Sequence, residues 1–514
     1  MSTTAPHRAG RGGFARLLRA EWTKFRTVRG WVLAMAGAAL VTVLLGLLSA
    51  SGSHQSCGGV CPAVPVGPGG EAVEDKFYFV HRPLEGDGSI TVRVTSMTGQ
   101  IRLPDINPGN RRVISGVVPW AKAGIMIKES MKQGSAYAAV MVTGKHGVRM
   151  QHDFTQDVAG RPGGVSKQSP RWLRLTRSGE ELTGYESTDG RQWTEVGTAR
   201  LTGLPAAVQV GLFAASPGDL TVTPGDFGGS SAASRFAEAT AVFDQVSLQG
   251  PVGGDAWRPD DVGVTLNPDG SAHHPGGFKE SGSTYTVTGV GDIAPLSDGQ
   301  QIENTLTGAL TGLIVVIVVA VMFITAEYRR GLIRTTLLAG PRRGRTLAAK
   351  ALAIGTVTFV TGLAAATAAV TFGGQVLRAN GNYILPVTAF TELRVIVGTA
   401  VLFAAAAVLA LAVGTLFRRS VPAVIAAIVV IVVPYILATA SVLPASAAQW
   451  LLRLTPAAGF AIQQSIPEYA HVLGNYAPSA GYYPLAPWAG LAVLCGYAAL
   501  ALGLAVFQLR RRDA

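Results

Sequence analysis

The chain has 514 residues, of which 48% are hydrophobic and only 14% charged, and it carries a net charge of +12. That is too apolar for an ordinary soluble protein of this length and too long for one domain. A surplus of this sign invites a nucleic-acid partner, but its location argues against one. Residues 1–30, 326–350, 417–420 and 509–514 hold 19 Lys/Arg against 3 Asp/Glu, while the rest holds 24 basic and 28 acidic residues. Each basic segment borders an apolar run, which is a signal of membrane topology.

Residues 1–30 read as a cytoplasmic tail and an amphipathic helix. From Phe14 onward, Phe14, Leu17, Leu18, Trp22 and Phe25 fall on one side, with Arg16, Arg19, Lys24 and Arg26 mostly on the other. A basic amphipathic helix of this kind lies in the headgroup plane of a lipid bilayer. Residues 31–50 are free of charge and long enough to cross ~30 Å of hydrocarbon. Leu48-Ser49-Ala50 would suit a signal-peptide processing site, but the apolar run exceeds the usual core of ~7–15 residues. Seven basic residues precede it, so the N-terminus is expected inside and residue 51 outside.

Residues 51–304 contain no spanning segment and form the expected extracytoplasmic domain with its linkers. Cys57 and Cys61, in CGGVCP, are expected to form a disulfide in an oxidising compartment. Without a further Cys close by they make a poor zinc site. Cys495 falls in a later span and reads as a packing residue. From Phe77 the pattern is short strands and turns, including SITVRVTS (89–96), AGIMIKES (123–130), YAAVMVTG (137–144), RWLRLTRSG (171–179) and VQVGLFAAS (208–216). Thr188-Asp189-Gly190-Arg191 reads as a hairpin with a primed turn, and 224–240 as a long flexible loop. Many strands without helical periodicity predict an all-β sandwich.

GDGSITVRV, WAKAGIMIKES, PRWLRLTRSG, GYESTDGRQWTEVG and VGLFAAS resemble the concanavalin A-like jelly-roll domain at the C-terminus of some β-xylosidases. In those domains a stretch like TVTGSGDD precedes the strand that resembles Phe77-Tyr78-Phe79-Val80. Here the matching Ser283-to-Asp292 stretch comes at the far end, which implies a circular permutation. Glu180, Glu181, Glu186, Asp189 and Glu195 lie in or near hairpin turns and show no paired-carboxylate motif, so no catalytic residue is assigned. Trp120, Trp172, Trp193 and Trp257 are candidate stacking faces for a sugar or peptide, though Trp in a strand pattern is ordinarily core. His152/Asp153 and His273-His274 are isolated pairs, and no metal site is assigned.

Five further spans follow: 306–325, 351–374, 395–417, 421–443 and 487–509. Gly308 and Gly312 allow close helix approach, and Pro434 is expected to kink the fifth span. Residues 444–486 read as a half-apolar outer cap or re-entrant segment with Trp450, Leu451, Leu454 and Phe460 on its apolar side. Each even-numbered span ends on arginines, so both termini are expected in the cytoplasm, residues 510–514 forming the second tail. Acids and bases are absent from the expected bilayer core, which argues against a proton- or ion-coupled carrier.

Between spans two and three lies a loop, 326–350, holding seven Lys/Arg and one acid, Glu327. Its first half suits a short helix with Arg330, Gly331 and Arg334 on one side, ended by Gly340-Pro341. Glu327-Tyr328-Arg329, Gly331, Arg334-Thr335-Thr336-Leu337-Leu338, Pro341, Arg343 and Lys350 resemble the loop after the second span in type 2 ABC (ATP-binding cassette) exporter permeases, although Leu332 stands where that family often has Thr. The resemblance implies a coupling helix that docks on an ATPase, through Glu327, Tyr328, Arg330, Gly331, Arg334, Thr335, Leu338, Pro341 and Arg343. It also implies an interfacial elbow helix before the first span, which LRAEWTKFRTVRGW resembles.

No Gly-x-x-x-x-Gly-Lys-Ser/Thr occurs, so ATP and Mg²⁺ are expected on a separate ATPase subunit and no cofactor on this chain. The fold expected is a multidomain plasma-membrane protein: a six-span α-helical permease with a jelly-roll sandwich inserted between spans 1 and 2. The function expected is ATP-driven export of a lipid, peptide or drug-like substrate, with a second permease copy or homologue completing a dimer. The alternative is a membrane-anchored, lectin-like receptor for carbohydrate or cell-wall material.

Overall fold

The computed structural model describes residues 13–56, 63–103, 112–224, 230–254, 256–263, 265–266, 272–297, 299–329, 343–440 and 442–511. Cys57 and Cys61 lie outside them. Eight α-helices occur among these residues: α1 (Gly13–Thr27), α2 (Arg29–Gly52), α3 (Ala309–Arg329), α4 (Arg343–Ala379), α5 (Ala389–Phe417), α6 (Ser420–Thr439), α7 (Ala445–Leu454) and α8 (Pro487–Arg511). Six of them, all but α1 and α7, are long and apolar enough to cross a membrane. Their boundaries differ from the charge-free runs. The segment 326–350 is not all loop, because α3 continues to Arg329 and α4 begins at Arg343, so Glu327 and Lys350 stand on helices. Charge was the boundary marker in the sequence, but a paired charge can be buried at a helix end.

Small residues set the helix spacing. A Cβ added at Gly308 or Gly312 would strike Thr42, and one at Gly46 would strike the Thr305 carbonyl. Ala38, Thr42 and Gly46 therefore form one small-residue stripe of α2 against the start of α3, and the Gly-x-x-x-Gly spacing is the crossing point itself. Gly414 meets Val321 and Ile324 in the same way, and Gly490 meets the Ala458 carbonyl. One apolar core of the bundle runs through Phe323, Phe403, Leu411, Ile431, Phe460 and Leu494.

The strands, from Val73 to Pro295 in chain order between α2 and α3, build a sandwich of two antiparallel sheets. One sheet has the order 258–262, 77–85, 207–215, 122–128, 137–143, 148–152, 156–159. The other runs 194–200, 181–187, 171–178, 88–102, 237–249, 284–289, 277–281, with 113–115 beside 88–102. Val80, Ile90, Val92, Ile125, Val140, Leu173, Leu212 and Phe243 fill the space between them. A second apolar layer, with Phe77, Phe79, Met126, Tyr137, Phe154 and Phe213, covers the opposite face of the first sheet. Lys122–Lys128 and Tyr137–Thr143 are consequently buried at every residue, where a one-sided strand would alternate. Lys122 and Lys128, at the two ends of their strand, are buried against Asp292 (2.5 Å) and Asp75 (2.8 Å).

Three local expectations change. Residues 230–235 pair with 219–224 as a hairpin and 237–249 is a long central strand, so the described part of 224–240 is sheet; its Gly/Ser/Ala composition hid the pairing. The hairpin at Thr188–Arg191 forms, but six residues separate strands 181–187 and 194–200. Only Gly190 among them has positive φ, so the turn is not a two-residue primed one; Asp189 Oδ1 instead accepts from the amides of Arg191 and Gln192. In the cap segment, Ala448 and Leu452 are the buried side of α7, whereas Trp450 and Leu454 are exposed. Phe460 is buried, in a 3₁₀ turn (Pro456–Gln463) whose every residue is buried.

Thr284–Gly289 stands in the sheet opposite Phe77–Glu85. The chain after it returns to that strand's start, where Lys76 N–H donates to the Asp292 carbonyl and Val73–Asp75 pairs with Ile293–Pro295. The sandwich also meets the cap segment. His471 is buried and bonds through Nε2 to the Phe154 carbonyl at 2.8 Å, and Leu473 packs on Ile101, Val118 and Ala237. Burial pushes the His471 imidazole below its ordinary pKa.

The crossing of α2 and α3 yields a direct test. Gly312→Val is expected to lower the thermal unfolding temperature of detergent-solubilised protein, at an overpacking cost of about 1–3 kcal/mol. Gly503→Ala, where an added Cβ meets nothing within 4 Å, is expected to be neutral or slightly stabilising.

Candidate functional site

The two feet of the basic loop are joined by a buried ion cluster. Lys350 Nζ, near the start of α4, lies 2.5 Å from Glu327 Oε1 at the end of α3 and 2.7 Å from Glu21 Oε1 on α1. Lys24 of α1 also pairs with Glu327. Glu327 and Lys350 are almost fully inaccessible and Glu21 nearly so. Two carboxylates and two ammonium groups thus bind α1, α3 and α4 with no net charge. Taking an ion out of water costs several kcal/mol, so the three buried charges, Glu21, Glu327 and Lys350, are tolerable only while they stay together, whereas Lys24 is partly exposed.

Apolar and aromatic groups enclose the cluster. The Phe25, Trp31 and Phe323 rings contact one another with centroids 5.2–6.0 Å apart, and Lys350 Nζ lies 5.4 Å from the Phe323 centroid. Beside it, the Arg418 guanidinium stands 5.6 Å from the Tyr328 ring. Arg418 is the C-cap of α5, with φ of 59° in the left-handed region and its N–H bonded to the Gly414 carbonyl. The feet of the loop are therefore held by three elements besides their own helices.

Of the coupling-loop residues expected from the sequence, Glu327 and Tyr328 take part in these contacts and Arg343 opens α4. Arg330, Gly331, Arg334, Thr335, Leu338 and Pro341 lie outside the described residues. The α1 residues divide by environment. Phe25 is buried, Leu17 and Leu18 are half-buried, and Phe14 and Trp22 are exposed. Glu21 was missed by the sequence reading. At 100° per residue it falls between Leu17 and Phe25, in the middle of the apolar face. An acid in that position on an otherwise basic helix is the signal of a buried partner.

The four tryptophans do not converge. Trp172 and Trp193 carry Arg93 and Arg174 on the outer side of one sheet, at 5.7 and 3.9 Å from the ring centroids. Trp257 carries Arg82 at 6.0 Å, and Trp120, which is buried, stacks on His146 with Arg149 at 5.6 Å. Each ring thus has a guanidinium partner within the protein. Among the described residues no group of three His, Cys, Asp or Glu is placed to hold a metal ion.

The sequence matches the family described as "ABC-2 family transporter protein" over residues 138–514. The chain belongs to the ABC-2 transporter family. Membership makes it the transmembrane permease of an ABC transporter rather than an enzyme, and implies an ATPase partner in general. The six apolar helices and the large β region fit an ABC-2 permease with a β domain. No curated protein matches the sequence. Among solved structures, the ABC-2 permease is similar to a functionally unknown protein from Saccharomyces cerevisiae, with 17% identity, 34% of this chain and 76% of that one covered, and a TM-score of 0.22. It is also similar to scytalido-glutamic peptidase (8% identity, 44% and 100% covered, TM-score 0.27). A third is the GH43 protein BlXynB from Bacillus licheniformis (14% identity, 25% and 24% covered, TM-score 0.17). At such TM-scores none of the three carries an argument.

Lys350→Met would leave the buried Glu21 without its cation and Glu327 with only the partly exposed Lys24. It is expected to destabilise the permease by about 3–5 kcal/mol, measured by chemical unfolding in detergent. Adding Glu21→Gln and Glu327→Gln to it is expected to recover much of that loss, giving strong non-additivity in a mutant cycle.

Proposed function

We propose that this chain is the membrane subunit of an exporter, and that the basic loop between α3 and α4 docks a separate ATPase that holds ATP and Mg²⁺. The Glu21–Lys350–Glu327 cluster carries this reading. It ties both feet of the loop to α1, so a push on the loop is delivered to three helices at once instead of being absorbed by a hinge. Arg330, Arg334 and Arg343 would face the ATPase, with Thr335 and Leu338 completing the docking helix. One chain supplies a single six-span set, so a second copy or a homologue completes the pathway.

The sidedness follows from charge. Most basic residues flanking α2, α3, α4, α5 and α8 gather at the ends away from the sandwich, Arg378 and Arg394 being the exceptions, and by the positive-inside rule those ends and both termini would lie in the cytoplasm of a plasma-membrane protein. The sandwich then lies outside, where Cys57 and Cys61 would be oxidised. In that orientation α1 is an interfacial elbow helix, with Phe14 and Trp22 turned to the lipid. The Lys76–Asp292 contact supports reading the sandwich as a permuted jelly roll whose two ends meet above adjacent spans. The lectin-like alternative is not favoured, since each candidate stacking ring already carries an arginine.

Arg334→Glu is expected to reduce co-purification of the ATPase at least about tenfold, a loss of some 1.4 kcal/mol or more of binding energy. Lys350→Arg, which keeps the charge but changes the shape of the buried group, is expected to retain the ATPase while lowering its stimulation. A membrane-impermeant maleimide should label Asp189→Cys in intact cells and leave Arg510→Cys unlabelled until the cells are opened. Unchanged ATPase recovery in Arg334→Glu, or the reverse labelling pattern, would remove the basis for the reading.

A further inference from the structure

Two cavities meet where the sandwich stands on the bundle. The lower one, of about 400 Å³, has apolar walls from Leu306, Leu310 and Phe460, with Tyr435 and Gln463 beside them and Glu303 at its head. The upper one, of about 350 Å³, is bounded by Glu74 and Asp292 of the sandwich, the 219–224/230–235 hairpin and the cap segment. Asn304 and Ala480 line both. Each cavity is of the size that holds a small organic ligand, which falls at roughly 300–1,000 Å³.

Glu303 has an unusual surrounding. One oxygen accepts from the Ser465 amide at 2.8 Å, and the other is buried without a hydrogen-bond partner. Arg394 of α5, the cation that acts on Glu303, is committed to the carbonyls of Gln464 (2.8 Å) and Ile462 (3.4 Å). No ion pair to Glu303 occurs among the described residues. A buried carboxylate without a counter-charge raises its own free energy until it is protonated or meets a cation. Burial pushes Glu303 up to about 7, against the pull of Ser465 and Arg394. Glu74 is likewise pushed up to about 7, by burial and by Asp292 next to it.

We propose that the two cavities form one exit route for a cationic amphiphile, whose alkyl part occupies the lower cavity while its positive headgroup is held by Glu303 and then passed to Glu74. The proposal rests on the exporter reading and adds the substrate's chemical class to it. The apolar walls select a tail, and Glu303, which has no ion pair among the described residues, together with Glu74 beside Asp292, selects the sign of the head. A neutral lipid would leave Glu303 unpaired, and an anionic one would be repelled at both stations.

The test uses the full-length chain in nanodiscs and a dansyl-tagged alkyltrimethylammonium probe, with the matching alkyl sulfate and alkyl glycerol ether as controls. The ammonium probe is expected to bind saturably, and at least about tenfold more tightly than either control. Glu303→Gln, whose amide oxygen can still accept from Ser465, is expected to weaken the ammonium probe about tenfold and to leave the ether unchanged. Leu310→Trp fills the lower cavity with Glu303 intact, and should weaken the ammonium probe and the ether alike. Glu74→Gln should weaken only the ammonium probe.

Binding should also strengthen about tenfold from pH 6 to pH 8, as a carboxyl titrating near 7 ionises. Among the described residues, the other charged or titratable groups facing Glu303 are Arg394 of α5, Tyr435 of α6, and Tyr482 and Tyr483 before α8. Those facing Glu74 are Asp292, Lys76 and Lys122. Equal binding of the sulfate, or undiminished ammonium binding by Glu303→Gln, would overturn the proposal. ATPase recovery measured on the same samples separates the two readings. Lost probe selectivity with the ATPase retained removes only the substrate class, whereas a lost ATPase with selective probe binding removes the exporter.

Discussion

Burying the Lys350 ammonium between Glu21 and Glu327 constrains every element around it. The three groups come from three helices, with Glu21 lying 329 residues from Lys350 and Glu327 only 23, and none of the three charges has water to fall back on. The arrangement is stable only when α1, α3 and α4 all keep their places, so the cluster acts less as an added attraction than as a requirement on geometry. Its consequence for dynamics is that independent movement of α1 or of either loop foot is costly. A conformational change at this end of the bundle therefore moves the three helices together or breaks the cluster outright.

Buried charge pairs recur in the sandwich with a similar effect. Lys122 and Lys128 close the two ends of one central strand by binding Asp292 and Asp75, and both aspartates lie in the short segments that open and close the domain. Lys122 also donates to the Ile293 carbonyl at 2.8 Å, and Lys128 to the Ser135 carbonyl at 3.1 Å. Thus the linkers that join the sandwich to α2 and α3 are held by its core strand. Together with His471 under Phe154 they make the domain an integral part of the sheet end of the bundle, in contrast to a module on a free tether.

Periodicity and charge-free length carried most of the architecture. The runs 31–50 and 487–509 lie within α2 and α8, whose ends are marked by Arg29, by Pro487 and by Arg510-Arg511. The alternation of SITVRVTS and RWLRLTRSG foretells strands that face a core on one side only. What the sequence concealed was pairing at a distance. Glu21, Glu327 and Lys350 looked like ordinary interfacial charges, since nothing local says that three separate charges share one cavity. Residues 230–235 lack any β-branched or aromatic side chain, so their strand character comes from the hydrogen-bonded partner 219–224. Glu303 was equally illegible, for its neighbours Ser465 and Arg394 arrive from segments more than 90 residues downstream.

The span of α4 joins these local facts into one mechanical picture. Its 37 residues make a rod of about 55 Å at 1.5 Å per residue. At one end the rod holds Lys350 in the ion cluster. At the other, Asn380 Nδ2 donates to the Ala50 carbonyl at 3.1 Å, and Asn382 Nδ2 donates to Ser53 at 2.7 Å. The chain just past the rod then pairs with the linker from the sandwich, through Leu385 N–H to the Gln300 carbonyl at 2.8 Å. The α2 helix is thus tied to α4 at the sheet end directly, and at the loop end through α1. A helix of this length curves gently, but a sharp kink in it would break backbone hydrogen bonds. These contacts form a continuous bonded route from the loop feet to Gln300, three residues before Glu303, where the two cavities meet.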